Sequence, residues 1–424
     1  MTIKKVCIVD GARIPFCRSG SNYMKKSNKE LMTAAMTKLV EKLSLQGKEL
    51  GEVYLGAVSK HAADFSLARE CTVESGLSYH TPATDLQKAC GTSLEAVITV
   101  ANKIALGQID SGIAGGVDTN SDIPVEFNKR FSDAMAKVNY SRTTGDKLKA
   151  LAALRPGDLA PVFPAVKEPR TGLSMGESCE VMAKEWAISR EDQDQLALES
   201  HQKAAKAYES GFFEDLVYEF NGVHKDGITR GDTTMEKMAK LKPCFDRKSG
   251  QGTLTAANST PLSDGAACVF LCSEEYAQEH GLKVKAYFTL SQSAAVDYVS
   301  EEGLLMAPAY AVPKLLERAG MQLQDFDFYE IHEAFAAQVL CTLKAWESEE
   351  FCKEKLGLDN ALGSIDRTKM NVKGGSLALG HPFAATGARI VATLAKLLDE
   401  KGSGKGLISI CTAGGMGVTA IIEK

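Results

Sequence analysis

Twice along the chain the same order of elements recurs, and a repeated order of helix and strand restricts a fold more than any single motif does. An amphipathic helical stretch at Leu31–Leu43 is followed by an apolar strand at Val53–Gly56, and Val312–Ala319 is followed by Phe328–Ile331. The parallel continues. After Cys90-Gly91 comes a helical pattern ending near Gly107 and a strand into Ala114-Gly115-Gly116; after Gly380-His381-Pro382 comes another, and a strand into Ala413-Gly414-Gly415. Further strand patterns stand at Val6–Val9, Gly112–Ala114, Val269–Leu271 and Leu407–Ile410. The expectation is an α/β chain built from two duplicated halves. In each half a reactive side chain occupies a turn that opens a helix, where free backbone N–H groups favour an anion.

At 424 residues the chain exceeds what one core supports. The segment 122–250 breaks the repeat with helical patterns at Phe127–Leu154 and Cys179–Ser210 and polar stretches between them, which marks an inserted, mostly helical loop domain. The expected division is therefore 1–121 completed by 251–276, the insert 122–250, and 277–424. Residues 125–155 hold seven Lys or Arg against three acidic residues, the reverse of a chain whose net charge is −5. A solvated helix face would account for that charge; so would a surface that meets phosphates or a membrane.

The overall acidic balance gives no field for nucleic acid. No apolar run approaches the roughly 18 residues of a membrane span, and the N-terminus reads as a strand and not as a signal peptide. Eleven cysteines without a CxxC pair suit a reduced, cytoplasmic protein better than a disulfide framework or a zinc site. His332-Glu333 lacks the second histidine of HExxH, and Gly415-Met416-Gly417 lacks the setting of a nucleotide loop, so no metal is expected.

Four stretches carry chemistry. Lys88-Ala89-Cys90-Gly91-Thr92-Ser93 places a thiol before the helical Leu94–Leu106, where a helix N-terminus should make it ionise easily. Gly374–Pro382 presents His381 as a base for that thiol. Cys411-Thr412-Ala413-Gly414-Gly415-Met416-Gly417 follows a strand and supplies a second thiol, which could move protons at a nearly normal pKa. Glu330-Ile331-His332-Glu333-Ala334-Phe335-Ala336 ends a strand with a histidine that offers an N–H donor or a water anchor.

At these residues the chain resembles the thiolase family: the nucleophile motif around Cys90, the GHP motif at His381 and the glycine-rich cysteine motif at Cys411. Ser174-Met175-Gly176-Glu177, Ile188–Asp194, Gly252–Asn258 and Asp264-Gly265-Ala266-Ala267 extend the match along the chain. The resemblance implies the layered αβαβα thiolase fold. It implies Cys90 as acylated nucleophile, His381 as its base, Cys411 as the proton shuttle, and an oxyanion hole from the backbone N–H groups of Cys90 and Ala413. His332 and His381 would hold the thioester enolate oxygen. Coenzyme A and acyl-CoA would be substrates, with no tightly bound cofactor, and Met175 and Thr260 would contact the substrate.

Many thiolases carry asparagine where this chain has His332. Histidine there, with Gly380–Gly387 and Asn258-Ser259-Thr260-Pro261, resembles the long-chain branch that includes β subunits of fatty-acid oxidation complexes. That implies a 3-ketoacyl-CoA thiolase of β-oxidation, a homodimer or homotetramer, and a hydratase/dehydrogenase α subunit as partner. An acetyl-CoA acetyltransferase is the alternative. A decarboxylating ketosynthase would use one cysteine and two histidines, leaving Cys411 without work, and a non-catalytic lipid-binding or scaffold protein would need none of the four positions.

Overall fold

The computed structural model describes residues 3–164 and 167–424. Nine strands form the path of its ten-stranded main sheet: β1 Val6–Arg13, β2 Glu52–Leu55, β3 Ala83–Asp85, β4 Ser111–Asp118, β5 Ser263–Ser273, β6 Ala286–Ala295, β7 Phe328–Ile331, β8 Lys405–Thr412 and β9 Met416–Glu423, with the two-residue strand Cys17–Arg18 paired to β5 beside it. Their spatial order is β7-β8-β9-β6-β1-β5-β4-β2-β3. The duplication is visible in it. In the first half β2 runs parallel to β4, β4 antiparallel to β5, and β5 antiparallel to β1. In the second half β7 runs parallel to β8, β8 antiparallel to β9, and β9 antiparallel to β6. Val6, Cys7 and Ile8 of β1 pair with Phe288, Tyr287 and Ala286 of β6 and join the halves.

Side-chain alternation along each strand sorts the layers, since successive residues point to opposite faces. Val269 and Leu271 of β5, Ile408 and Ile410 of β8, and Val418, Ala420 and Ile422 of β9 enter one core with helices α2 (Thr92–Ala105) and α4 (Thr386–Lys401). Cys268, Phe270 and Cys272 face the other way, onto α1 (Asn28–Lys42), which a Ser27–Glu30 capping box starts. Leu407 and Ile421 likewise turn outward, to the core of α3 (Ala307–Ala319). Helices thus cover both outer faces and fill the centre, giving the expected αβαβα layering.

Two helical expectations need correction. The stretch expected helical from Phe127 to Leu154 is two helices, Lys129–Tyr140 and Thr144–Ala152, because Thr143 leaves helical geometry to cap the second. The stretch Cys179–Ser210 is likewise divided into Met175–Glu185 and Arg190–Glu209, with Ala187 at φ +47° and Ser189 capping the restart. The helix after Cys90 begins at Thr92, two residues earlier than its apolar pattern suggests. Strands β3, β6 and β9 are additions to the strands that the sequence pattern predicts.

Candidate active site

The turn before α2 is tightly wound. Ala89 holds φ at +45°, costly for a residue with a Cβ, and the Thr92 side chain fixes it by accepting from the Lys88 N–H at 2.8 Å and donating to the Ala89 carbonyl at 2.6 Å. Cys90 follows directly. Its Sγ lies 3.2 Å from Nε2 of His381, whose Nδ1 is 2.6 Å from Oγ1 of Thr386, the first residue of α4. The two reactive turns of the duplicated halves therefore meet.

His332 stands at the end of β7, fully buried, with its ring centroid 4.1 Å from that of His381. The donor atoms of Cys90, His332 and His381 lie within 4.8 Å of one another. One thiol and two imidazoles are also a donor set that could hold a thiophilic cation such as zinc. Cys411 is the penultimate residue of β8, 1% exposed, and Gly414 and Gly415 take φ of +77° and +67° in the turn that follows. The Gly414 N–H donates to Glu168 at 2.8 Å.

The ionisation expected of both thiols is corrected by burial. Desolvation pushes Cys90 up to about 12, outweighing the backbone N–H groups of Ala413 and Cys90 that favour its thiolate; the negative field of Asp118 pushes the same way as burial. Cys411 is raised well above its ordinary value by burial and then by Cys90. Burial depresses His381 to about 3, with the Arg389 charge adding to it, and holds His332 low with help from His381 and Arg389. The resting pair is thus thiol and neutral imidazole.

Several supporting residues escaped the sequence reading. Asp118 closes β4, is fully buried, and accepts from the N–H groups of Val58, Ser59 and Ala384, tying the GHP loop to the first half. Burial lifts its carboxyl to about 7 despite these donors. Glu333 accepts from Ser200, Asn371 and the Leu377 N–H, bracing the loop that leads to His381. The motif Gly115-Gly116-Val117-Asp118 was a signal for the first; nothing local marks Ser200 or Asn371.

Met175 opens the helix Met175–Glu185 under a Ser174–Glu177 capping box and packs against the outer core of the second half. Thr260 gives both its N–H and its hydroxyl to the Ala334 carbonyl, and lines a cavity of about 400 Å³ with Arg18, Phe245 and Pro261. A neighbouring cavity of about 300 Å³, lined by His201, Arg230 and Leu377, shares Arg18, Ser259 and Pro261 with it. Leu262, which lines the larger of the two, bridges to the backbone of His381.

Comparison with known proteins decides the family. The thiolase N-terminal domain profile matches residues 6–275 and the thiolase C-terminal domain profile matches 282–424. The chain belongs to the thiolase family. It is 41% identical to a 3-ketoacyl-CoA thiolase of Yersinia enterocolitica, over 99% of this chain and 97% of that protein. It is 42% identical to one of Pectobacterium carotovorum over 99% and 96%. Among solved structures it is similar to the acetyl-CoA acetyltransferase of Bacillus anthracis, with a TM-score of 0.83 at 31% identity over 100% and 99% of the two chains. The human mitochondrial 3-ketoacyl-CoA thiolase superposes with a TM-score of 0.81 at 26% identity over 99% of each. This thiolase is an acyltransferase, and among its described residues no helix is long and apolar enough to cross a membrane.

Proposed function

We propose that this thiolase cleaves 3-ketoacyl-CoA with free CoA, giving acetyl-CoA and an acyl-CoA two carbons shorter, in the degradation of fatty acids. The observation that carries it is the 3.2 Å contact between Nε2 of His381 and Sγ of Cys90, with Nδ1 held by Thr386. If Nδ1–H donates to Thr386, the Nε2 lone pair faces the thiol.

Cys90 Sγ attacks the C3 carbonyl while His381 takes the thiol proton, which avoids a free thiolate in a buried site. The C2–C3 bond breaks, its electron pair passes into the acetyl-CoA enolate, and Cys411 protonates C2. The Cys411 thiolate then takes the proton of incoming CoA, whose sulfur attacks acyl-Cys90; the shortened thioester leaves, and the expelled Cys90 thiolate takes its proton back from His381. The N–H groups of Cys90 and Ala413 receive the tetrahedral oxyanion, and His332 with His381 receives the enolate oxygen. The cavities lined by Thr260 and Arg230 accommodate the CoA moiety, and Met175 contacts the substrate from the start of its helix.

Residues 1–121 with 251–276, and 277–424, act as the two catalytic halves, and 122–250 as the loop domain that shapes the substrate entrance. The basic hairpin of the insert, with Phe127, Tyr140 and Leu148 exposed, serves docking of an α subunit of the hydratase/dehydrogenase class. The enzyme works as a cytoplasmic homodimer or homotetramer.

The test is CoA-dependent cleavage of a 3-ketoacyl-CoA series from acetoacetyl-CoA upward, with Cys90→Ala as blank. Rising kcat/KM with chain length supports the reading. Activity confined to acetoacetyl-CoA makes the enzyme an acetyl-CoA acetyltransferase, and no cleavage at any length sinks both.

A further inference from the structure

His332 Nε2 is buried and has no hydrogen-bond partner among the described residues. Its other nitrogen, Nδ1, lies 2.8 Å from Oγ of Ser376, and that same oxygen accepts from a terminal guanidinium nitrogen of Arg389 at 2.8 Å. These three side chains are all at most 2% exposed. Behind them Glu330, two residues before His332 on β7, sets a carboxylate oxygen 3.7 Å from the other terminal nitrogen of Arg389.

The donor inventory of this chain of contacts resolves the histidine tautomer. Arginine is an obligate donor, so Arg389 occupies a lone pair of the Ser376 oxygen. Ser376 has one proton to give, and the partner recorded for its oxygen besides Arg389 is Nδ1 of His332. Were the proton of His332 on Nδ1, both neighbours would donate to the Ser376 oxygen and the buried serine proton would lack an acceptor among the described residues, which is costly for a buried donor. With the proton on Nε2, the serine proton goes to Nδ1 of His332, the serine oxygen accepts from Arg389, and the unpartnered nitrogen becomes a donor pointing into the active site, while Nε and the other terminal nitrogen of Arg389 and both Glu330 oxygens have no hydrogen bond among the described residues.

We propose that Ser376 and Arg389 are positioning residues that hold His332 as the Nε2–H tautomer, so that it donates to the developing oxyanion beside His381. The device is needed because a neutral histidine presents either a donor or an acceptor at Nε2 according to its tautomer. The catalytic value of that donor rests on the acyl-transfer reading above; the tautomer does not. The assignment also divides labour between adjacent rings. His381 presents a lone pair to Cys90, and His332 presents a hydrogen.

Two measurements on the full-length enzyme test it. Long-range 1H–15N spectra of protein labelled with 15N-histidine, with the His332→Asn spectrum identifying the resonance among the seven histidines, read the tautomer directly. The expected wild-type pattern is a neutral ring protonated at Nε2. Ser376→Ala is then measured in two backgrounds. With His332 present it should lower kcat by about 10- to 100-fold, the size typical when a group orienting a histidine is removed, while KM stays within about twofold. In the His332→Asn background the same change should cost less than about twofold, because the histidine it would orient is gone.

A wild-type His332 protonated at Nδ1 overturns the proposal, and so does an equal loss in both backgrounds, which would mark Ser376 as merely structural. The wild-type spectrum decides the tautomer even if Ser376→Ala does not fold. Absence of wild-type cleavage with the proton on Nε2 would instead remove the thiolase reaction and leave the positioning intact.

Discussion

Gly387 of α4 lies so close to Leu94 of α2 that a Cβ built on it would sit 2.3 Å from the Leu94 amide nitrogen. One residue away, the Ala388 N–H donates to Ser93 Oγ at 2.8 Å. This crossing holds the helix that follows Cys90 against the helix that follows His381, and it explains how residues 291 positions apart reach 3.2 Å. Gly387→Ala must push the helices apart. The expected result is a loss of about 1–3 kcal/mol in stability from overpacking, and a fall in kcat of about 100-fold for a misplacement near 1 Å. Thermal denaturation and steady-state cleavage check the two parts; an unchanged kcat would show that the crossing does not set the catalytic distance.

Desolvation of the Cys90 thiol, in a residue that is itself only half-buried, predicts an unusual pH response. A free thiol stops gaining reactivity once pH passes about 8.5, but Cys90 is raised to about 12 and stays protonated throughout the neutral range. Its alkylation by iodoacetamide should rise about tenfold per pH unit from about 6 to 9 without levelling. His381, depressed to about 3, keeps its lone pair over that whole range. Between pH 6.5 and 3 the unfolded chain binds protons that folded His381 refuses, so its contribution to stability is lost as pH falls through that window. Denaturant titration at about pH 7 and pH 5 measures this, with Asp118 acting oppositely, since its raised pKa makes the folded state bind the extra proton below about 7.

Arg13 and Asp226 form a bidentate pair at 2.6 Å, both buried, and Asp226 also accepts from Tyr208 and from the Phe16 N–H. The pair bolts β1 to the segment that follows the helix Arg190–Glu209. Asp226→Ala strands a buried guanidinium, for which a loss of about 3–5 kcal/mol is expected. Chemical denaturation would reveal it, and a loss under about 1 kcal/mol would mean that water enters and solvates Arg13.

How far the sequence was legible depends on how local the cause was. Cys90, His381 and Cys411 announce themselves because glycine, proline and small residues surround each in a pattern set by its own turn. Strand β6 does not, since Thr289, Ser291, Gln292 and Ser293 dilute its alternation, and its place is settled by pairing with β1 and β9. Thiol acidity failed for a similar reason. A helix start can be read locally, whereas the desolvation that outweighs it comes from packing of distant segments. Ser376 and Arg389 sit in plain view within the GHP region, yet only the arrival of β7 makes them partners of His332.

Cys411 separates a thiolase from a single-thiol condensing enzyme. In the proposed mechanism it protonates C2 and takes the CoA proton, so Cys411→Ala should lower cleavage by about 10²–10⁴-fold. Exchange of the acetyl-CoA methyl protons into D2O should vanish as well, while Cys90 alkylation stays within about twofold of wild type. Retained exchange would move the proton shuttle to another group.

The basic insert offers a surface that its own chain leaves uncovered. Within Lys129–Tyr140 Ala134 alone is buried, and on the paired helix Thr144–Ala152 no residue is. Tyr140 is 83% exposed and Leu148 61%, amid the cationic side chains of 125–155. Apolar groups interleaved with charge on an uncovered hairpin are what a docking face needs. Replacing Tyr140 and Leu148 together by serine removes apolar area that is mostly exposed in the fold, so the melting temperature and acetoacetyl-CoA cleavage should stay at wild-type values. Co-elution with a hydratase/dehydrogenase α subunit on size exclusion should be lost, because the contact area that would outweigh the entropy of association is gone. Unchanged co-elution would place the docking face elsewhere, and a fall in long-chain cleavage by the isolated enzyme would instead make the hairpin part of the acyl-chain entrance.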